Sequence, residues 1–243
     1  MNFPHPGAAD DDTRPVPVYP PQVRSSRPVR GVAQTMRLAD EFFFLAHDDQ
    51  SGRPRLFDPA MAHGLAAALL AELCWDGRVT FVGQHLRVTA QSTPRDWLQH
   101  LVLDRLAAES RHTATRTWLM FLANTAYEQV ATRMWQGGLI APQHEGRWWW
   151  QRTVWVPADT NTAAWSWARL SHALRTGQQL NDFDVTLAGL AVHTHLDSLL
   201  LDGASSTTRV FLRRQVERAH PQLRALFADL GSVVDASVLA HRT

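Results

Sequence analysis

The stretch that decides the fold is residues 36–82, MRLADEFFFLAHDDQSGRPRLFDPAMAHGLAAALLAELCWDGRVTFV. Its middle, residues 59–71, is the longest run of the chain without Asp, Glu, Lys or Arg, and it is built almost entirely from Ala and Leu. These residues lose little side-chain freedom in a helix, so residues 61–75 read as a helix closed by Asp76-Gly77. Upstream, residues 35–47 read as a second helix capped by Thr35, with Leu38, Phe42 and Leu45 on one face and Phe43 and Phe44 widening it. A helix apolar on most sides belongs inside a core. Between the two, residues 48–54 (DDQSGRP) form a turn, and residues 55–57 read as a short strand.

Outward from this stretch the pattern stays helical. Residues 79–82 and 85–89 alternate around Gly83-Gln84 as a hairpin. Helices follow at 93–109, 115–135, 162–176, 182–201, 207–219, 221–230 and 233–241, the second of them ending at Gly137-Gly138. Residues 147–156 (RWWWQRTVWV) read as β structure stopped by Pro157. The expected fold is mainly α: a single helical-bundle domain around a central apolar helix, with short β-hairpins, over residues 34–243. Residues 1–33 hold seven of the 13 prolines and no periodic apolar pattern, which predicts a disordered Pro-rich tail.

Composition excludes several classes. The charged residues number 24 basic and 23 acidic, for a net charge of +1, and the bases are all arginine. No strong field draws such a chain to nucleic acid. The helix at 117–135 has Arg133 as its one base, so no basic recognition helix precedes a wing. The single cysteine, Cys74, rules out an internal disulfide framework and reads as a packed thiol. No uncharged run approaches the roughly 18 to 20 residues that span a bilayer. The N-terminus shows Asp10 to Asp12 and no apolar h-region, so the expected location is the cytoplasm, with a peripheral place on the inner face of the cell membrane.

Catalytic signatures such as GxSxG, a P-loop or HExxH are absent from the sequence. His193 and His195 diverge on a helix and cannot share a metal, while Asp182 and Asp184 suit the N-terminal end of an apolar helix. Arg209, Arg213, Arg214, Arg218 and Arg224 read as a solvated helical face. The chain is expected to be non-enzymatic, without cofactor or metal.

Six of the ten tryptophans (Trp148, Trp149, Trp150, Trp155, Trp165, Trp167) fall within twenty residues. In a strand, Trp148, Trp150 and Arg152 would share one face and Trp149 and Gln151 the other. Indoles on both faces need a second surface, which a partner subunit, a membrane interface or a neighbouring helix supplies.

The order LADEFFFLAHDDQSGRPRLF, HGLAAALLAELCWDGRVTF, a long helix ending QGGLI, a hairpin, and DFDVTLAGLAVHTHLDSLLL resembles the Golgi phosphoprotein 3 family in its bacterial, actinobacterial-type form, over residues 35–240. The resemblance implies a helical domain with an exposed hairpin. Eukaryotic members of that family are peripheral membrane proteins that bind phosphatidylinositol 4-phosphate and hold glycosyltransferases by their cytosolic tails. The family's hairpin, which assists membrane insertion and self-association, corresponds to residues 148–156, so Trp148, Trp149, Trp150, Arg152 and Trp155 are its expected insertion or oligomer residues. The family's headgroup tryptophan corresponds to Phe57, the arginine on the next helix to Ala66, and a spaced arginine pair to Asn124 and Tyr127. No arginine stands at those three positions, which argues against tight phosphoinositide binding. Arg53 and Arg55, beside Phe57, are the candidates for a substitute anionic-lipid site. The expected partners are anionic membrane lipid, protein clients and a second copy of the chain, and not nucleic acid.

Overall fold

The structure is a computed structural model and describes residues 36–90, 92–94, 96–145 and 152–240. Residues Met36–Thr243 cluster as one compact unit. The expected tail, residues 1–33, lies outside the described residues, as does Thr35. The fold is mainly α, with nine helices and two small antiparallel two-stranded sheets among the described residues.

The Ala/Leu run forms α2 (Asp58–Trp75), which has Pro59 in its first turn and no β-branched residue. From Ala60 to Leu73 every residue but Ala62 is buried. A helix with no polar stripe can satisfy this burial only by being surrounded, and α2 is packed by α1 (Leu38–Leu45), α3 (Trp97–Ala108), α4 (Thr115–Gln136), α6 (Asp182–His193) and α9 (Pro221–Ala240). Its small residues permit close approach: a Cβ on Gly64 would overlap the Phe42 ring of α1.

Helix α1 is buried along its whole length, including its two acids. Asp40 accepts from Arg133 of α4 through Nε at 3.0 Å and Nη2 at 2.7 Å. The same guanidinium reaches Glu72 of α2 at 3.3 Å and Asp96, the N-cap of α3, at 2.9 Å. Glu72 also accepts the Ala39 amide at 2.8 Å and the Gln99 side chain at 3.1 Å. The neighbouring Glu41 pairs with Arg169 of α5 (Thr160–Thr176), which bonds Asp184 of α6 through Nε at 2.9 Å. Burial pushes the Asp40 and Glu72 carboxyls up, and the Arg133 charge opposes that shift.

Several boundaries differ from the sequence-based expectation. Residues 55–57 form no strand; only a bridge between His47 and Pro54 is present there. The expected helix 182–201 breaks into α6 and α7 (Asp197–Leu200), because His195 adopts φ +63° and the His195 and Leu196 amides turn back to Val192 and Ala191. This is a helix stop that usually takes glycine, so the sequence carried no mark of it. Conversely, residues 221–240 form one helix through Gly231, which packs its bare Cα against His193.

The first hairpin joins β1 (Val79–Val82) to β2 (His85–Val88) about Gly83-Gln84, as the alternation predicts. The second joins β3 (Ile140–Glu145) to β4 (Arg152–Pro157). The expected β structure covered residues 147–156, so β3 lies upstream of it; its Pro142 is accommodated because each strand of a two-stranded sheet is an edge. Residues 146–151, with Trp148, Trp149, Trp150 and the expected alternation of their faces, lie outside the described residues. The remaining helix, α8 (Ser206–Glu217), is capped by Ser205.

The burial of Arg133 among three carboxylates sets a measurable asymmetry. Replacing Arg133 with Leu leaves uncompensated buried acids and is expected to cost about 3–5 kcal/mol at pH 7. Asp40→Asn, which reduces the acidic excess, is expected to cost less. For R133L the loss shrinks toward pH 5, as the buried carboxyls take up protons in the folded state. Urea unfolding of both variants at the two pH values checks this.

Candidate functional site

The residues expected to contact lipid lie along a turn, a helix face and a hairpin. The turn begins where α1 ends. His47 is 2% exposed, its ring stacked on Phe43 at 4.0 Å between centroids, with Nδ1 2.7 Å from the Phe43 carbonyl. That contact places the proton on Nδ1 and leaves Nε2 as acceptor for the Tyr127 hydroxyl, 3.4 Å away. Tyr127 of α4 is thus brought to the root of the turn. Asn124, one helical turn earlier, is exposed, and its amide donates to the Met120 and Phe121 carbonyls of its own helix.

Asp48 organises the turn. Its carboxylate accepts the Ser51 amide at 2.9 Å, the Ser51 hydroxyl at 2.8 Å and the Gln50 amide at 3.2 Å, which hold it down to about 2. Arg55 reaches Asp48 at 3.4 Å and Asp49 at 3.3 Å, and its guanidinium stacks 4.2 Å above the Trp167 ring of α5. Arg55 is therefore already supplied with counter-charge and an aromatic face. Arg53 is exposed on the outside of the turn, and Phe57 is packed against the core as the N-cap of α2. Ala66 is fully buried, so that position of α2 faces the interior and presents nothing to a headgroup.

The turn also meets the hairpin. Gly52, at φ +66°, lies so close to β4 that a Cβ on it would overlap the Trp155 carbonyl oxygen. Trp155 is half-buried and packed on the core, and Val154 beside it is buried. On the facing strand Ala141 to His144 are exposed, as is Thr153 of β4. The backbones of Glu145 and Arg152 are opposite one another at the last described rung. The structure thus joins Arg53, Arg55, Phe57, Tyr127 and Trp155 around one turn and leaves Asn124 on the outer face of α4. His47, Gly52 and Trp167 complete this arrangement; their only sequence signals are a histidine closing an apolar helix, a glycine in a turn and one member of a tryptophan crowd.

Other candidate groups are engaged elsewhere. His193 stacks on Phe227 and His195 lies 2.8 Å from Asp235. The cap of α6 is Asn181, whose side chain accepts the Asp184 amide, while the Asp184 carboxylate serves Arg169. Cys74 donates to Gln222 at 3.2 Å. The described residues contain no group of three or more His, Cys, Asp or Glu arranged to hold a metal. Nor is any described helix long and apolar enough to cross a membrane.

Burial lowers the His47 imidazole to about 4, with the Phe43 carbonyl opposing and the Arg55 charge assisting. The unfolded chain protonates this residue near pH 6.5 and the folded chain near 4, so stability falls as the pH drops through that window. The contribution amounts to about 3 kcal/mol. Because Asp40 and Glu72 act in the opposite sense, the clean measurement is a difference. His47→Gln is expected to show a shallower acid loss of urea stability than wild type between pH 6.5 and 4.

No curated protein matches the chain. A family model described as Golgi phosphoprotein 3 (GPP34) matches residues 38–237, from the first residue of α1 into the last turns of α9. That span contains the buried acid–arginine layer, the turn and both hairpins, and the chain belongs to the Golgi phosphoprotein 3 (GPP34) family.

Proposed function

We propose that the protein is a non-enzymatic peripheral membrane adaptor that associates with anionic lipid through the tryptophan segment of its second hairpin. The observation that carries this reading is the placement of Trp148, Trp149 and Trp150 in the six residues joining β3 to β4, next to strand residues that are exposed. Family membership supports a membrane role, and Arg147 and Arg152 flank the indoles. Each arginine near an anionic surface contributes about 1 kcal/mol. A tryptophan buries about 150–250 Å², and at about 25 cal/mol per Å² even one indole outweighs both arginines. Apolar insertion is accordingly the main term, on the inner face of the cell membrane, with a protein client held there.

Tight phosphatidylinositol 4-phosphate binding finds no support in this reading. Phosphomonoesters are held by guanidinium forks or lysine. The corresponding positions here are a buried alanine, an exposed asparagine and a tyrosine turned to His47, while Arg55 is paired with two carboxylates. The alternative is a soluble homo-oligomeric scaffold in which the hairpin is a subunit interface. The exposed run of β3 from Ala141 to His144 favours it, because an unpaired edge accepts another strand.

Cosedimentation with phosphatidylglycerol-containing and pure phosphatidylcholine vesicles tests both. Wild type is expected to pellet with the anionic vesicles, and W148A/W149A/W150A to partition at least about tenfold less while keeping its helical spectrum. Equal or absent pelleting of the two folded proteins sinks the insertion reading. Loss of an oligomer in light scattering, with no change toward lipid, establishes the scaffold instead.

A further inference from the structure

Arg55 stands where an anionic-lipid ligand was expected, yet its side chain is only 20% exposed and its guanidinium faces the protein. The segment it ends is tied at both sides. The Arg55 amide donates to the Ala46 carbonyl at 2.8 Å, and the Asp48 amide to the Arg53 carbonyl at 2.8 Å, closing the loop on the end of α1. Asp48 stiffens it through three bonds to Gln50 and Ser51. The loop then touches two consecutive elements: Gly52 lies on the Trp155 backbone of β4, and Arg55 stacks on Trp167 of α5.

Those two elements meet at the foot of the hairpin, where Ile140 pairs with Pro157 and the Ala158 amide donates to the Leu139 carbonyl at 2.9 Å. Beyond the foot, Val154 is buried and the Trp155 side chain packs on the core. Contact at Trp155, two residues out and roughly 6–7 Å along the strand, provides a second fixed point. We propose that the 47–55 loop is a strap that fixes the direction in which the tryptophan hairpin leaves the helical body, and that Arg55 is a positioning residue rather than a lipid ligand. The consequence for lipid association rests on the function proposed above; the restraint on the hairpin does not.

Hydrogen exchange on the full chain without lipid reads the restraint directly. In R55A and in Gly52→Ala, which forces the loop off the Trp155 carbonyl, amides of β3 and β4 are expected to exchange about tenfold faster, with α2 unchanged. R55K keeps the charge but loses the planar stack, and is expected to follow R55A. Hairpin exchange equal to wild type in R55A and G52A overturns the strap, as does an equal acceleration in α2, which means general loosening. Vesicle partition at several salt concentrations separates the roles further. A positioning residue lowers partition with the same salt dependence in R55A and R55K. A headgroup ligand gives a shallower salt dependence in R55A, wild-type partition in R55K and unaltered exchange, and overturns the proposal. If wild type fails to partition, the membrane reading falls while the exchange result still decides the strap.

Discussion

The structure depends on burying two adjacent acids in its first helix. The sequence Asp40-Glu41-Phe42-Phe43-Phe44 admits no orientation of α1 that hides the aromatics and leaves both carboxylates in water, because an eight-residue helix surrounded on all sides has no wet face. Each acid therefore requires a cation from a distant element: Arg133, 93 residues away, for Asp40, and Arg169, 128 residues away, for Glu41. The two guanidinium groups recruit Glu72, Asp96 and Asp184, and through them α2, α3 and α6. Partial satisfaction of such a network is worse than an apolar core, so the whole set must close together. What it contributes is alignment of five other helices on one short helix.

That arrangement bears on the opposite end of α1. With the helix immobilised by its acids, His47 and the loop that follows start from a fixed place, and the loop can act on β4 and α5. The site residues are thus second-order products of the core. Asp48 and Asp49 belong to the same loop as Arg55, whereas Trp167 is within its reach because α1 and α5 are joined through Glu41 and Arg169. The charge balance of the loop, two acids against two arginines, suits a structural clasp better than an anion trap.

Much of the architecture was legible locally. The Ala/Leu run of α2, the Gly83-Gln84 hairpin and the stop at Gly137-Gly138 follow from propensity and turn chemistry acting over a few residues. Where local signals conflicted with tertiary context, the context prevailed. Strand β3 forms across Pro142, Gly231 suggested a break that packing on His193 closes, and His195 took a left-handed conformation without the glycine that marks it. Of the candidate lipid residues, Phe57, Tyr127, Arg53, Arg55 and Trp155 gather at one turn, whereas Asn124 remains on solvent. Arg133, conspicuous in sequence as the one base of residues 117–135, pairs with three carboxylates of the core rather than standing spare.

The sequence by itself determined that this chain is a helical bundle around an unusually apolar helix, that its charge is balanced, and that its tryptophans crowd a hairpin. Those properties reside in composition and short-range periodicity. Only the tertiary structure decided which charges were counter-ions of the core and which were left at the surface, and that Arg55 is turned onto the Trp167 ring of α5. An ion pair or a stacking contact depends on distance in space, and residues 93 or 128 positions apart carry no local trace of the partner they will meet.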